Sequence, residues 1–168
     1  MRGGHGACTG TSSRAADPEA VHEATSRIDT PTISNLVAMS APPGGYGLCT
    51  AAEIEPVLAT ACTGFRAAAL ESARLRGDGA RVAVHTGHWG CGAFGGNRIL
   101  MALLQVVAAE MAGLDRLVFH TGGPGGEAPL DKAAKLLADF GSGGRMETRD
   151  LLEELVGIGF EWGESDGN

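Results

Sequence analysis

Between Arg81 and Thr121 the chain gathers His85, His88, Cys91 and His120 around a glycine-rich run, TGHWGCGAFGGN, over residues 86–97. Imidazoles and a thiol are transition-metal ligands, and three or four of them converging would suit zinc. No acidic partner stands nearby to orient an imidazole, and isolated histidines at strand ends are more often hydrogen-bonded structural residues. No metal is expected. The glycines allow a different chemistry. Backbone N–H groups in a glycine loop that feeds a helix bind phosphate without any Lys or Arg. Gly87, Gly90, Gly92, Gly95 and Gly96 suit such a cradle. The plainer alternative is a glycine-rich turn with Trp89 and Phe94 as core plugs, and spacing alone leaves the two readings open.

Gly90-Cys91-Gly92-Ala93-Phe94-Gly95 also satisfies the G-x-G-x-x-G dinucleotide pattern. In that fold an acidic residue ends the next strand and holds the ribose hydroxyls. Here the next strand ends in His120-Thr121, and Asp115 lies at its start. A nicotinamide or flavin cofactor is therefore not expected, and no other cofactor is indicated.

The elements that must position this loop can be read on either side of it. RVAVHT, 81–86, and RLVFHT, 116–121, are short apolar runs rich in strand formers. TISNLVAMS, 32–40, reads as a third strand, stopped by APPGGYG. Thr50-Ala51-Ala52-Glu53 has the capping-box pattern and opens a long Ala-rich helix to about Arg76. Asn97 is a suitable N-cap for a helix from Arg98 to Ala112, closed by Gly113, with Ile99, Leu103, Val106 and Val107 as its packed face. Helices are expected over 129–140 and 149–156, stopped by Gly141 and Gly157. Residues 18–31 give no clear element. Continuous apolar strands alternating with helices indicate a parallel sheet covered on both faces, with the loop at the carboxyl end of a strand, where ligands of open α/β sheets bind.

The bounds agree. At 168 residues one domain is expected, 18–168, after a small, polar, glycine-rich lead-in over 1–17. A net charge of -7 excludes a nucleic-acid grip on the phosphate backbone but not a small anion held by amides. No apolar run approaches the ~20 residues of a membrane span. The four cysteines, with no CxxC pair and no leading apolar segment, read as reduced thiols in a cytoplasm.

The string Trp89-Gly90-Cys91-Gly92-Ala93-Phe94-Gly95-Gly96, with the helix and strand that follow in ILMALLQVVAAEMAGLDRLVFHT, resembles the poly(ADP-ribose) glycohydrolase family of macrodomain-type hydrolases. The resemblance covers roughly residues 30–122, the C-terminal half of such a domain. It implies a three-layer α/β/α macrodomain-like fold with a mostly parallel sheet, here as an incomplete half-domain. It implies ADP-ribose or its polymer as partner. The loop would hold the diphosphate and Phe94 would pack against the ribose, with Gly87, His88, Gly90, Cys91, Gly92, Ala93, Phe94 and Gly95 as ligand-binding residues. Trp89 would fix the loop by packing.

The sequence departs from the family at two places. His88 stands where the family often has Asn. The catalytic signature, three glycines followed by a Gln-Glu-Glu cluster upstream of the loop, has no counterpart: Glu19 and Glu23 stand alone, and Glu153-Glu154 lies downstream in a helix. Glycosidic cleavage needs a carboxylic acid at the leaving oxygen. None is assigned, with Glu127 and then Glu110 the residues to test. Three functions follow: ADP-ribose recognition with weak or no hydrolysis; a fragment of an active hydrolase whose first half lies on sequence outside these 168 residues; or a structural or interaction-mediating α/β domain with a vestigial loop. A partner chain completing the domain is among the expected partners.

Overall fold

The computed structural model of the chain describes residues 17–27, 29–30, 35–123, 125–141 and 146–165. The chain divides between Asn35 and Leu36. Before the division lies α1, Pro18–Ala24, a seven-residue helix. Its N-cap is Asp17, whose carboxylate accepts from Glu19 N–H at 3.2 Å. Pro18 supplies the preset φ of a first helical position. The lead-in expected over 1–17 lies outside the described residues except for Asp17.

After the division the order is α2 (Ala51–Arg76), β1 (Ala83–Thr86), α3 (Arg98–Ala112), β2 (Arg116–Phe119), α4 (Glu127–Gly141) and α5 (Thr148–Ile158). β1 and β2 pair in parallel, Ala83 beside Arg116 through Thr86 beside Phe119. Helix α3 is the crossover between them, as parallel pairing requires. The class is α/β with a small parallel sheet. The third strand expected at 33–39 is not formed: positions 33–34 lie outside the described residues, and 35–40 carry no strand. Leu36 is 88% exposed, and the run lies against α2 through Val37 and Met39 at Gly64, with no neighbouring strand to pair with among the described residues.

Local chemistry explains the helix ends. The N–H and Oγ1 of Thr50 both donate to Glu53 Oε2, at 2.8 and 2.6 Å, so the carboxylate reaches back as a capping box requires. The threonine hydroxyl is turned to the carboxylate, and Glu53 N–H bonds the Thr50 carbonyl instead. Those hydrogen bonds from Thr50 hold the Glu53 carboxyl below its usual range against a small desolvation, helped by Trp162. α3 closes at Gly113, which is left-handed at φ 72, with Leu114 N–H on Ala109 O.

The core lies between α2 and α3. Ile54, Leu58 and Phe65 of α2 meet α3, where Leu100 through Gln105 are all buried. The packed face expected on α3 is too narrow. Leu103 is buried and Ile99 and Val107 are partly so, but Leu100, Met101, Leu104 and Ala108 are buried as well. α2, α4 and β2 all pack on this helix, so it is apolar nearly all round. Val84, Leu117 and Phe119 pack on the core from the inner face of the sheet. The other face presents Ala83, His85 and Arg116 exposed, where the sequence led us to expect cover on both sides.

Phe65→Ala is expected to cost about 3–5 kcal/mol, whereas Leu70→Ala, on the exposed side of the same helix, should stay within about 0.5 kcal/mol. Equal losses in urea unfolding would contradict this assignment of the core. A second expectation follows from Glu53. Its folded pKa is depressed, so its contribution is present above the unfolded value and is lost as pH falls through the folded one. Thermal midpoints measured on acidification should drop in that window, and Glu53→Gln should flatten the drop.

Candidate functional site

The loop from Gly87 to Asn97 leaves the carboxyl end of β1 and enters α3. It is built from tight internal hydrogen bonds: Trp89 N–H to Gly87 O at 2.8 Å, Cys91 N–H to His88 O at 3.1 Å, Gly95 N–H to Gly92 O at 2.9 Å and Gly96 N–H to Gly90 O at 2.8 Å. Two of its residues are left-handed, Gly90 at φ 75 and Gly95 at φ 61. Other side chains would be strained at both. Asn97 caps α3, its Oδ1 accepting from Ile99 and Leu100 N–H at 3.1 Å each.

One residue that sequence reading missed holds the start of the loop. Gln105 is fully buried in α3. Its Nε2 donates to Gly87 O at 3.0 Å and to Met101 O at 3.1 Å, and its Oε1 accepts from the Thr86 hydroxyl. The available signal was a lone amide inside the apolar run LLQVV.

The loop side chains divide into packed and open ones. Trp89 is packed against the core, and its indole N–H is buried with no partner among the described residues. That is the packing role expected of it. Cys91 is buried, with Sγ directed at Trp89 O, 3.6 Å away. Burial pushes its thiol up to about 11, against the pull of Arg98. Burial disfavours the thiolate, and with the side chain buried the main chain is the part of Cys91 open to a ligand. His88 turns inward, its Nε2 3.2 Å from Gly126 O and its ring edge-on to Phe119. Ala93 is exposed and Phe94 is 45% exposed. Phe94 borders a cleft of about 830 Å³ whose other walls are residues 43–47 and 162–165.

The amides are the informative atoms. Among the described residues no group accepts from the N–H of Gly92, Ala93 or Phe94. Consecutive unpartnered amides on a glycine loop are free to bond a group from outside the chain. The start of α4 packs tightly on the chain just after β2, where a Cβ on Gly126 would lie 2.0 Å from Thr121 O. Glu127 follows at once, exposed in the first turn of α4 and beside the residue that His88 touches. Glu110 is exposed near the other end of α3. It lies about 18 Å along the axis from the N-terminus that faces the loop.

The histidines do not converge on Cys91. His85 and His120 stack with centroids 5.2 Å apart, and their Nδ1 and Nε2 are 2.9 Å apart on the exposed face of the sheet. His88 lies elsewhere, against Gly126. Among the described residues no group of three or more His, Cys, Asp or Glu side chains is placed to hold a metal ion. Asp115 accepts from Val82 N–H at 2.7 Å and pairs with Arg81, so it closes the sheet rather than serving a ribose.

Removing the Gln105 amide should leave the Thr86 hydroxyl and the Gly87 carbonyl buried without partners. Gln105→Leu is expected to cost about 1–3 kcal/mol in denaturant unfolding and to loosen the loop. A stability equal to wild type would show that water replaces the amide.

The loop thus offers consecutive free amides at the carboxyl edge of a parallel pair, followed by a capped helix. Residues 47–125 match the family model described as Poly (ADP-ribose) glycohydrolase (PARG), Macro domain fold. The match begins before α2 and ends after β2, enclosing the whole loop. Over those residues, just under half of its length, the chain is similar to the poly(ADP-ribose) glycohydrolase family, as a partial, C-terminal match to its macro domain fold.

Proposed function

We propose that the chain recognises ADP-ribose, free or at an end of its polymer, at the loop of residues 87–96. The observation that carries this reading is the run of unpartnered amides at Gly92, Ala93 and Phe94, inside the stretch that matches the family. Amide donors suit a diphosphate, and the half-open ring of Phe94 suits the apolar side of a ribose. Gly87, Gly90, Cys91 and Gly95 contribute backbone and loop shape. His88 supports the loop from the side of α4. The acidic net charge is no obstacle, since fixed dipoles rather than lysines supply the attraction.

Hydrolysis is a separate matter. A glycosidase needs a carboxylic acid within reach of the leaving oxygen. Glu127 stands at the sheet edge that the loop leaves, and Glu110 lies near the far end of α3. Neither is hydrogen-bonded toward the loop. We therefore assign recognition and no catalytic acid to this chain. A second reading, in which another polypeptide covers the sheet and brings the acid, is favoured by the bare face that carries Ala83 and His85.

Calorimetry with ADP-ribose, AMP and NAD tests the binding. ADP-ribose should bind best. Gly92→Val, which puts a branched side chain where the diphosphate approaches, should weaken it at least tenfold, about 1.4 kcal/mol, with an unchanged circular dichroism spectrum. Tight NAD binding without a preference for ADP-ribose would favour a dinucleotide site, and no binding of the three would favour a vestigial loop. Release of ADP-ribose from polymer should stay at background. Release that is abolished by Glu127→Gln would identify the missing acid.

A further inference from the structure

Beyond the family match, the segment from Phe160 to Ser165 runs between two parts of the site. On one side Cys49 N–H donates to Phe160 O at 2.7 Å, Leu48 and Glu161 form an antiparallel bridge, and Trp162 N–H donates to Gly47 O at 2.8 Å. On the other side Asn97 Nδ2 donates to Glu161 O at 2.8 Å, Gly163 N–H to Gly95 O at 2.7 Å, and Ser165 Oγ to Ala93 O at 2.6 Å. The indole N–H of Trp162 donates to Glu53 Oε1 at 3.2 Å, which fastens the segment to the first turn of α2. The contacts are close on both flanks. A Cβ on Gly45 would lie 2.1 Å from the indole nitrogen, and one on Gly95 would lie 2.7 Å from Gly163 O.

These contacts bear on the anion site through the geometry of the peptide bond. In a trans peptide the carbonyl and the N–H point in opposite directions, and the described residues contain no cis bond. Ala93 O and Phe94 N–H belong to one peptide unit. The hydroxyl of Ser165 holds that carbonyl on the side of the segment, so the Phe94 N–H is turned to the opposite side. The next carbonyl held in this way is that of Gly95, whose own peptide partner, Gly96 N–H, is occupied by Gly90 O. Gly92 and Gly95 flank the Ala93–Phe94 pair, and glycines lower the resistance to a peptide flip. A flipped Ala93–Phe94 peptide would present an oxygen to an incoming phosphate in place of a donor.

We infer that the C-terminal segment 160–165 sets the peptide orientation of the candidate diphosphate loop, with Ser165 and Trp162 as positioning residues. The ligand in this inference rests on the proposed function; the strap itself does not. Ser165 acts on the Ala93 carbonyl. Trp162 keeps the segment in place, one residue from the bond to Gly95 and three from the bond to Ala93.

The test uses the full chain and two measurements. The first is residue-resolved amide hydrogen exchange across 91–97. The second is calorimetry with ADP-ribose and with inorganic pyrophosphate. Ser165→Ala should speed exchange in the loop and weaken both ligands about fivefold, the effect of losing one neutral hydrogen bond. The unfolding midpoint should be unchanged, and Ser165→Thr, which keeps the hydroxyl, should restore both readouts. Trp162→Phe, which keeps the ring packing and loses the bond to Glu53, should act in the same direction. Loop exchange in Ser165→Ala identical to wild type would overturn the strap. If the wild-type chain binds neither ligand, the proposed function falls, and the exchange comparison still decides the strap.

Discussion

Burying a primary amide is costly unless its two donors and its acceptor all find partners. Gln105 meets that condition with the Thr86 hydroxyl at the last position of β1, the Gly87 carbonyl at the first position of the loop, and the Met101 carbonyl one turn back in its own helix. The side chain therefore fixes where the strand stops and the angle at which the chain leaves it. A hydrophobic residue of similar size would fill the space and leave that angle free. Because α3 is buried nearly all round, the amide cannot turn to solvent, and the strand end is held to a helix that the rest of the core already fixes.

The glycines of the loop then divide by cause. From sequence all of them read as room for a ligand. In the structure several are required by the protein itself. A Cβ on Gly96 would lie 2.6 Å from Gly90 O, one on Gly90 would lie 2.8 Å from Pro42, and Gly95 faces Gly163. Gly90 and Gly95 are left-handed besides. The loop is wound tightly on itself and on residues 42 and 163, and this winding is what leaves Gly92, Ala93 and Phe94 with unpartnered amides. Trp89 completes the arrangement from below, since an indole packed on the core fixes the turn without occupying its open side.

Elements governed by local chemistry were legible. Thr50 and Glu53 start α2, Asn97 starts α3 and Gly113 ends it, because caps act within a few residues. The two strands beside the loop were legible as apolar runs of β-formers. α1 was overlooked although Asp17-Pro18 is a legible start; a seven-residue helix has no apolar periodicity to announce it. The strand expected at 33–39 failed for the converse reason, since a run of strand formers without a neighbour to pair with has no sheet to join. The contacts of Gln105 and of the 160–165 segment depend on residues far apart in the chain, Trp162 reaching Glu53 and Ser165 reaching Ala93. No local pattern carries such pairings. The His85–His120 pair was anticipated as a convergence of strand ends, but without the third ligand a metal would need.

The same geometry separates holding a diphosphate from cleaving beside it. The amides that would hold an anion come from one loop whose shape is set internally, by Gln105, by the glycines packed against Pro42 and Gly163, and by Asn97. A general acid has to come from another element and reach across. Glu127 is tied to the loop by the contact of His88 with Gly126 and by the close fit of Gly126 on Thr121. It is exposed in the first turn of α4, and among the described residues no hydrogen bond aims it at the loop, whereas a general acid must lie within reach of the leaving oxygen with its proton in place. The loop has no corresponding need, because amide donors are neutral and fixed, and their affinity for an anion does not depend on a proton being kept or lost.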